Sequence, residues 1–180
     1  MIKFRDLRED EIDCRLQQVK ENGVSLLLFK DARVDMNVLD ETVGAENWQR
    51  EHYECKGNLF CRVGIRCGEP IKMPTWEWVW KSDCGTESNT EAQKGEASDS
   101  FKRACFNWGI GRELYTAPFI WIPADKCNIK QNNKGGFACY DKFEVEKIII
   151  ENKQITALAI RNDTKGCRAF VWQKAAQCTK

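Results

Sequence analysis

Between residues 48 and 108 the spacing of apolar residues changes once, from a period of two to a period near 3.6, and this switch restricts the fold more than any other feature. In the stretch from Leu59 to Ile65, the residues Leu59, Cys61, Val63 and Ile65 face one way, while Arg62 and Arg66 face the other. The runs Trp48 to Cys55 and Thr75 to Lys81 also read as strands, with connections at Lys56-Gly57-Asn58 and from Gly68-Glu69-Pro70 onward. Three such strands form an antiparallel meander with one apolar face that must be covered. The cover follows at once. From Asn89 to Trp108, the residues Ala97, Phe101, Ala104, Cys105 and Trp108 fall on one helical stripe. Ser88 to Thr90 offer caps, Glu87 and Glu91 suit the positive end of the helix, and Gly109 suits a left-handed terminator. The fold class expected is α+β: an antiparallel β-meander packed against a long helix (a β-β-β-α core), with a small C-terminal antiparallel β appendage.

The flanking segments are read the same way. Leu7, Ile12, Leu16 and Val19 have roughly helical spacing, so a helix is predicted from about Leu7 to Val19, with Asp6 as its cap and Asn22-Gly23 as its end. Val24 to Phe29 reads as a buried strand, and Asp35 to Val43 as a short helix closed by Gly44. The pattern breaks from Pro118 to Gly136, where Asn128 to Gly136 reads as a polar loop. Phe143 to Ile150, Gln154 to Ile160 and Arg168 to Trp172 read as strands. The expected organisation is a core over 1–117, a connecting loop region over 118–142 and a β appendage over 143–180.

Composition excludes several classes. Lys+Arg 28 against Asp+Glu 27 gives a net charge of +1, so total charge does not mark a nucleic-acid binder. The longest apolar run, Ser25 to Phe29, is too short to span a bilayer, and the acidic turn after Met1-Ile2-Lys3 argues against a secretory leader. Ten cysteines lie singly with no CxxC, and His52 is the only histidine; reduced thiols in a cytoplasm are expected, with no metal site. A phosphate-binding GxxxxGK[ST] loop is missing, and Gly109-Ile110-Gly111 follows a helix rather than a strand. Glu87, Glu91, Glu96 and Asp99 read as solvating groups, not a nuclease centre. The expectation is a binding protein, not an enzyme, without cofactor. Trp76, Trp78 and Trp80 share a strand face, which reads as core or subunit contact before base-stacking platform.

One segment carries a family resemblance. Lys94-Gly95-Glu96-Ala97-Ser98-Asp99-Ser100-Phe101-Lys102-Arg103-Ala104, then Trp108-Gly109-Ile110-Gly111 and Leu114-Tyr115, resembles the signature of the Rad52-type single-strand annealing proteins, which have many phage and prophage relatives. Upstream, Arg33-Val34-Asp35-Met36-Asn37-Val38-Leu39-Asp40-Glu41 and Gly44 to Trp48 resemble that family's arginine-led helix and its entry to the first strand. The resemblance spans about residues 7 to 116. It implies an oligomeric ring or filament that binds single-stranded DNA and anneals complementary strands in recombination and repair without ATP or metal. It also implies a single-strand-binding protein or an exonuclease as further partners, no membrane, and the cytoplasm of a bacterial host if the chain is phage or prophage encoded.

Carried over by position, Lys102 and Arg103 match groove cations, Arg33 matches a phosphate-contacting arginine, and Lys94 falls at a further cationic position. Phe106 and Ala45 stand where the eukaryotic pattern has a cation and a tyrosine, with Arg112, Arg62 or Arg66 as substitutes. Those two departures motivate the alternative: an interaction protein on the same fold that has lost annealing and binds a host or phage protein.

Overall fold

The computed structural model describes residues 2–68, 76–86, 92–133 and 135–175. In chain order the elements are β1 (Asp13–Lys20), β2 (Gly23–Phe29), α1 (Ala32–Val43), β3 (Trp48–Cys55), β4 (Asn58–Cys67), β5 (Glu77–Cys84) and α2 (Ala92–Trp108). Then come β6 (Ile120–Pro123), β7 (Ile129–Gln131), β8 (Phe137–Cys139), β9 (Phe143–Glu151), β10 (Gln154–Asn162) and β11 (Cys167–Gln173). The chain divides into two compact units, one of Met1–Arg5 and Asp31–Gly111, the other of Asp6–Lys30 and Arg112–Lys180. This division cuts the chain differently from a linear one at 117 and 142. Among the described residues no helix is long and apolar enough to cross a membrane.

The first unit holds the three-stranded sheet in the order β3-β4-β5, antiparallel throughout. Lys56 and Gly57 both have positive φ, 53° and 75°, the backbone of a two-residue turn whose twist matches the flanking strands. Cys61, Val63 and Ile65 are fully buried, in one cluster with Phe101, Ala104 and Cys105 of α2 and Val38 and Leu39 of α1. The helical stripe and the strand alternation therefore meet. Polar links fix the register: Trp108 Nε1 donates to the Val63 carbonyl at 2.9 Å, the Leu59 amide donates to Glu96 Oε1 at 3.0 Å, and His52 Nε2 bonds the Ala97 carbonyl at 3.1 Å. At the end of α2 the Ile110 amide bonds the Cys105 carbonyl and the Gly109 amide the Phe106 carbonyl. Gly109 has φ 99°, so the helix ends in a Schellman motif that a residue without a Cβ accepts at least cost. The capping groups expected at Glu87 to Glu91 lie outside the described residues.

The second unit overturns three expectations. Residues 7–19 do not form a helix: Glu9–Glu11 is one 3-10 turn and β1 follows. The pairing of β1 with β2 skips Gln17, from Leu16↔Leu26 to Gln18↔Ser25. That bulge moves the half-buried positions to Cys14, Leu16 and Val19, a spacing that imitates a helix. The region 118–142 is not only connection, since it contains β6, β7 and β8. Nor is the C-terminal part a separate small appendage: β9, β10 and β11 belong to a six-stranded sheet, order β11-β10-β9-β1-β2-β6. Its core joins Val24, Leu26, Ile120 and Ile122 to Ile155, Leu158 and Ile160, whose burial rewards the long-range pairing. With helices of 12 and 17 residues against eleven strands among the described residues, the chain is a sheet-rich α+β protein rather than one organised on a long helix.

Candidate nucleic-acid interface

Asp31 caps α1, accepting the Arg33 backbone amide at 2.8 Å. The same oxygen accepts Arg33 Nε at 2.8 Å, although the Arg33 side chain remains 81% exposed. The Arg33 side-chain hydrogen bond, followed by the one from its backbone amide, holds the Asp31 carboxyl below its usual range, and the charge of Lys102 adds to this. Arg33 on α1 and Lys102 on α2 thus act on one carboxylate. Two cations far apart in sequence therefore influence one acid, as α1 packs with α2 in a single cluster.

The adjacent cation is turned elsewhere. Arg103 Nε lies 3.3 Å from Asp83 Oδ1 of β5, and Asn107 Nδ2 reaches the other oxygen of Asp83 at 3.4 Å. Consecutive helical residues point about 100° apart, so Lys102 serves the α1 side and Arg103 the sheet side. Lys94 is exposed on α2, about 12 Å before Lys102 along the axis. Arg112 is exposed on a 3-10 turn, Arg112–Thr116, of the second unit. Phe106 is half-buried and Ala45 is exposed.

Arg62 does not join Lys102. It lies on the sheet face opposite α2, with Nη2 2.6 Å from Glu51 and its guanidinium 4.5 Å from the centre of the Trp80 ring. This uncovered face is an aromatic and cationic strip. Trp80 pairs with Gly64 and Trp78 with Arg66, so all four share it. Arg66 lies 4.5 Å over Trp76, Trp78 and Trp80 are 6.1 Å apart, and Tyr53 stacks on Phe60 at 5.5 Å. A Cβ on Gly64 would meet the Trp80 ring at 2.8 Å, so the strand is bare where the indole lies on it. Trp76 and Trp78 are 41% and 39% exposed, which removes the reading of these indoles as core of this unit.

The thiols take no part. Nine described cysteines are free, and burial pushes the Cys14 and Cys127 thiols up to about 12 and Cys61 up to about 11. Among the described residues no group of three His, Cys, Asp or Glu side chains is placed to hold a metal.

Sequence reasoning singled out Arg33 and Lys102 but missed Asp31, although an aspartate just before an apolar periodic segment is a capping signal. It also missed that His52 ties β3 to α2.

No curated protein and no solved structure matched the chain. The sequence model described as Rad52/22 family double-strand break repair protein matches residues 5–134, well over half of the 180 residues. That match takes in both the arginine-led α1 and the Lys-Arg step of α2, and the chain belongs to the Rad52/22 family of double-strand break repair proteins.

Proposed function

We propose that the protein binds single-stranded DNA through the cations of α1 and α2 and anneals complementary strands as an oligomer, without nucleotide hydrolysis. The observation that carries this reading is the convergence of Arg33 and Lys102 on Asp31, which supplies two phosphate-seeking groups from separate segments. Annealing needs backbones held close and base edges left free, and contacts from lysine and arginine to phosphate do that. Lys94 and Arg103 extend the cationic surface along α2. With a net charge of +1, one protomer binds weakly; repeated sites along a strand make the binding multivalent.

The test is a fluorescence annealing assay on complementary oligonucleotides across salt, run beside a particle-mass measurement. Lys102→Ala with Arg103→Ala should cut strand binding and annealing sharply while the particle mass stays the same. Annealing by this variant at the wild-type rate would remove the assignment. A second reading has its own support in Asp31, which occupies Arg33, and in Phe106 and Ala45: an interaction protein that keeps assembly without strand binding. Oligomers that show no salt-dependent binding to single strands would favour it.

A further inference from the structure

We propose that the outer face of the six-stranded sheet, at its β6 end, docks a protein segment that carries apolar side chains followed by carboxylates. The surface lies wholly within the second unit and uses no residue of α1 or α2. It therefore stands apart from the strand-binding reading.

β6 ends the sheet, and strand alternation divides its side chains between two faces. Ile120 and Ile122 enter the core. Phe119 and Trp121 take the other side, with ring centres 6.5 Å apart and planes 15° from parallel. The register sets Trp121 beside Ser25 and Ile120 beside Leu26, so Phe119 stands level with Leu27. Phe119 is 75% exposed and Leu27 38%. A Cβ on Gly23 would meet the Trp121 ring at 2.6 Å, so the indole lies over bare backbone there. The result is an apolar shelf of two rings and an isobutyl group that no described residue of this unit covers.

β1 gives the shelf a charged border. Arg15 is opposite Leu27 and Lys20 opposite Gly23, and both are exposed. Elsewhere in this unit Lys153 is paired with Asp6, Arg161 with Asp163 and Arg168 with Glu146. Arg15 and Lys20 contact no carboxylate among the described residues; Asp13, the acid next along β1, is the register partner of Glu144 on β9. From β6 across β2 to β1 is two strand spacings, about 10 Å. A ligand that fits has its apolar side chains on the shelf and its carboxylates about that far away, on the border. Exposed apolar area rimmed by charge is the pattern of a protein contact. A nucleic-acid strand is the poorer occupant: it carries a phosphate at every nucleotide, and between Arg15 and Lys20 the exposed positions of β1 are the neutral Gln17 and Gln18. A second copy docked shelf to shelf would set these cations against each other.

The experiment measures anisotropy of a labelled peptide, Leu-Phe-Leu-Gly-Asp-Asp-Asp, and of its counterpart with asparagine for each aspartate, on the full chain. Wild type should bind the acidic peptide more tightly than the neutral one, and the preference should shrink as salt rises. Phe119→Ala, a change at an exposed side chain, should weaken binding by about tenfold, the loss of one anchoring ring. Arg15→Gln with Lys20→Gln should bind the two peptides alike. Phe119→Ala should leave particle mass and oligothymidylate binding unchanged. The proposal is overturned if wild type binds neither peptide or both equally, or if Phe119→Ala binds as wild type does. A lower particle mass in Phe119→Ala makes the shelf a contact between copies, and a loss of oligothymidylate binding makes it a nucleic-acid surface; either overturns the proposal too. A chain that binds the acidic peptide but no single strand keeps this inference and removes the strand-binding reading.

Discussion

Asp31 holds Arg33 twice through one oxygen, by the backbone amide and by Nε, each at 2.8 Å. The first bond starts α1 and the second restrains the Arg33 guanidinium, which is proposed above to contact a DNA phosphate. One carboxylate therefore stabilises the helix and, on the proposed reading, competes with phosphate for its arginine.

Asparagine caps a helix as well as aspartate does, so Asp31→Asn keeps the cap and removes the competing charge. Binding of a labelled single strand should tighten several-fold at low salt, with the melting temperature lowered slightly by the loss of the exposed pair with Arg33. Asp31→Ala loses the cap as well and should cost about 1 kcal/mol of stability. The pH dependence has a definite sign. The folded Asp31 carboxyl lies below its usual value, so its contribution is present at neutral pH and is lost as pH falls through the folded value. Acid titration of wild type and Asp31→Asn by circular dichroism should show the wild-type advantage disappearing below the ordinary aspartate range.

Lys102 and Arg103 should separate when mutated singly. Lys102→Ala should lower the salt slope of strand binding by ~0.7 and leave thermal stability alone. Arg103→Ala also breaks the pair with Asp83, whose partners are 42% and 29% exposed, so a stability loss of at most about 1 kcal/mol should accompany the change in binding. Salt titration and thermal denaturation of the two variants are the measurements. Identical stability in both would contradict the placement of Arg103 against β5.

The cysteines predict a pattern of reactivity. Cys55 is exposed, whereas Cys61, Cys105 and Cys127 are buried, and burial pushes the Cys61 and Cys127 thiols up to about 11 and about 12. Only a thiolate reacts quickly with an alkylating agent. Among the nine described cysteines, timed iodoacetamide labelling of native protein with peptide mass mapping should modify Cys55 first. Cys61, Cys105 and Cys127 should react only after denaturant is added.

What was legible depended on the range of the interaction. The meander was readable because its period-2 spacing and the Lys56-Gly57 turn are local, and α1 because its apolar spacing and Gly44 are. β1 was misread because one bulged residue, Gln17, converts strand spacing into apparent helical spacing. β6 was missed because it is four residues long and pairs with β2 nearly a hundred positions earlier, which nothing local records. At the site, Arg33 and Lys102 were visible as positions, but their meeting at Asp31 required the packing of α1 on α2. The three tryptophans were visible as one face. Which face α2 covers followed only from the register that sets Trp80 opposite Gly64 and Trp78 opposite Arg66.

Glu113 offers a test of the second unit. It is fully buried, and Oε1 accepts the Leu7 amide at 2.8 Å, while Oε2 has no hydrogen-bond partner among the described residues. Glu113→Gln keeps the carbonyl oxygen for Leu7 and removes a buried carboxylate, so stability should be unchanged or higher. Glu113→Ala strands the Leu7 amide in a dry environment, which should cost about 1–3 kcal/mol. Denaturant unfolding of the two variants decides the matter: if Gln destabilises as much as Ala, the carboxylate is held by more than the Leu7 amide. Strand binding should be unaffected in both, since Glu113 and Leu7 belong to the second unit and the α1–α2 cations to the first.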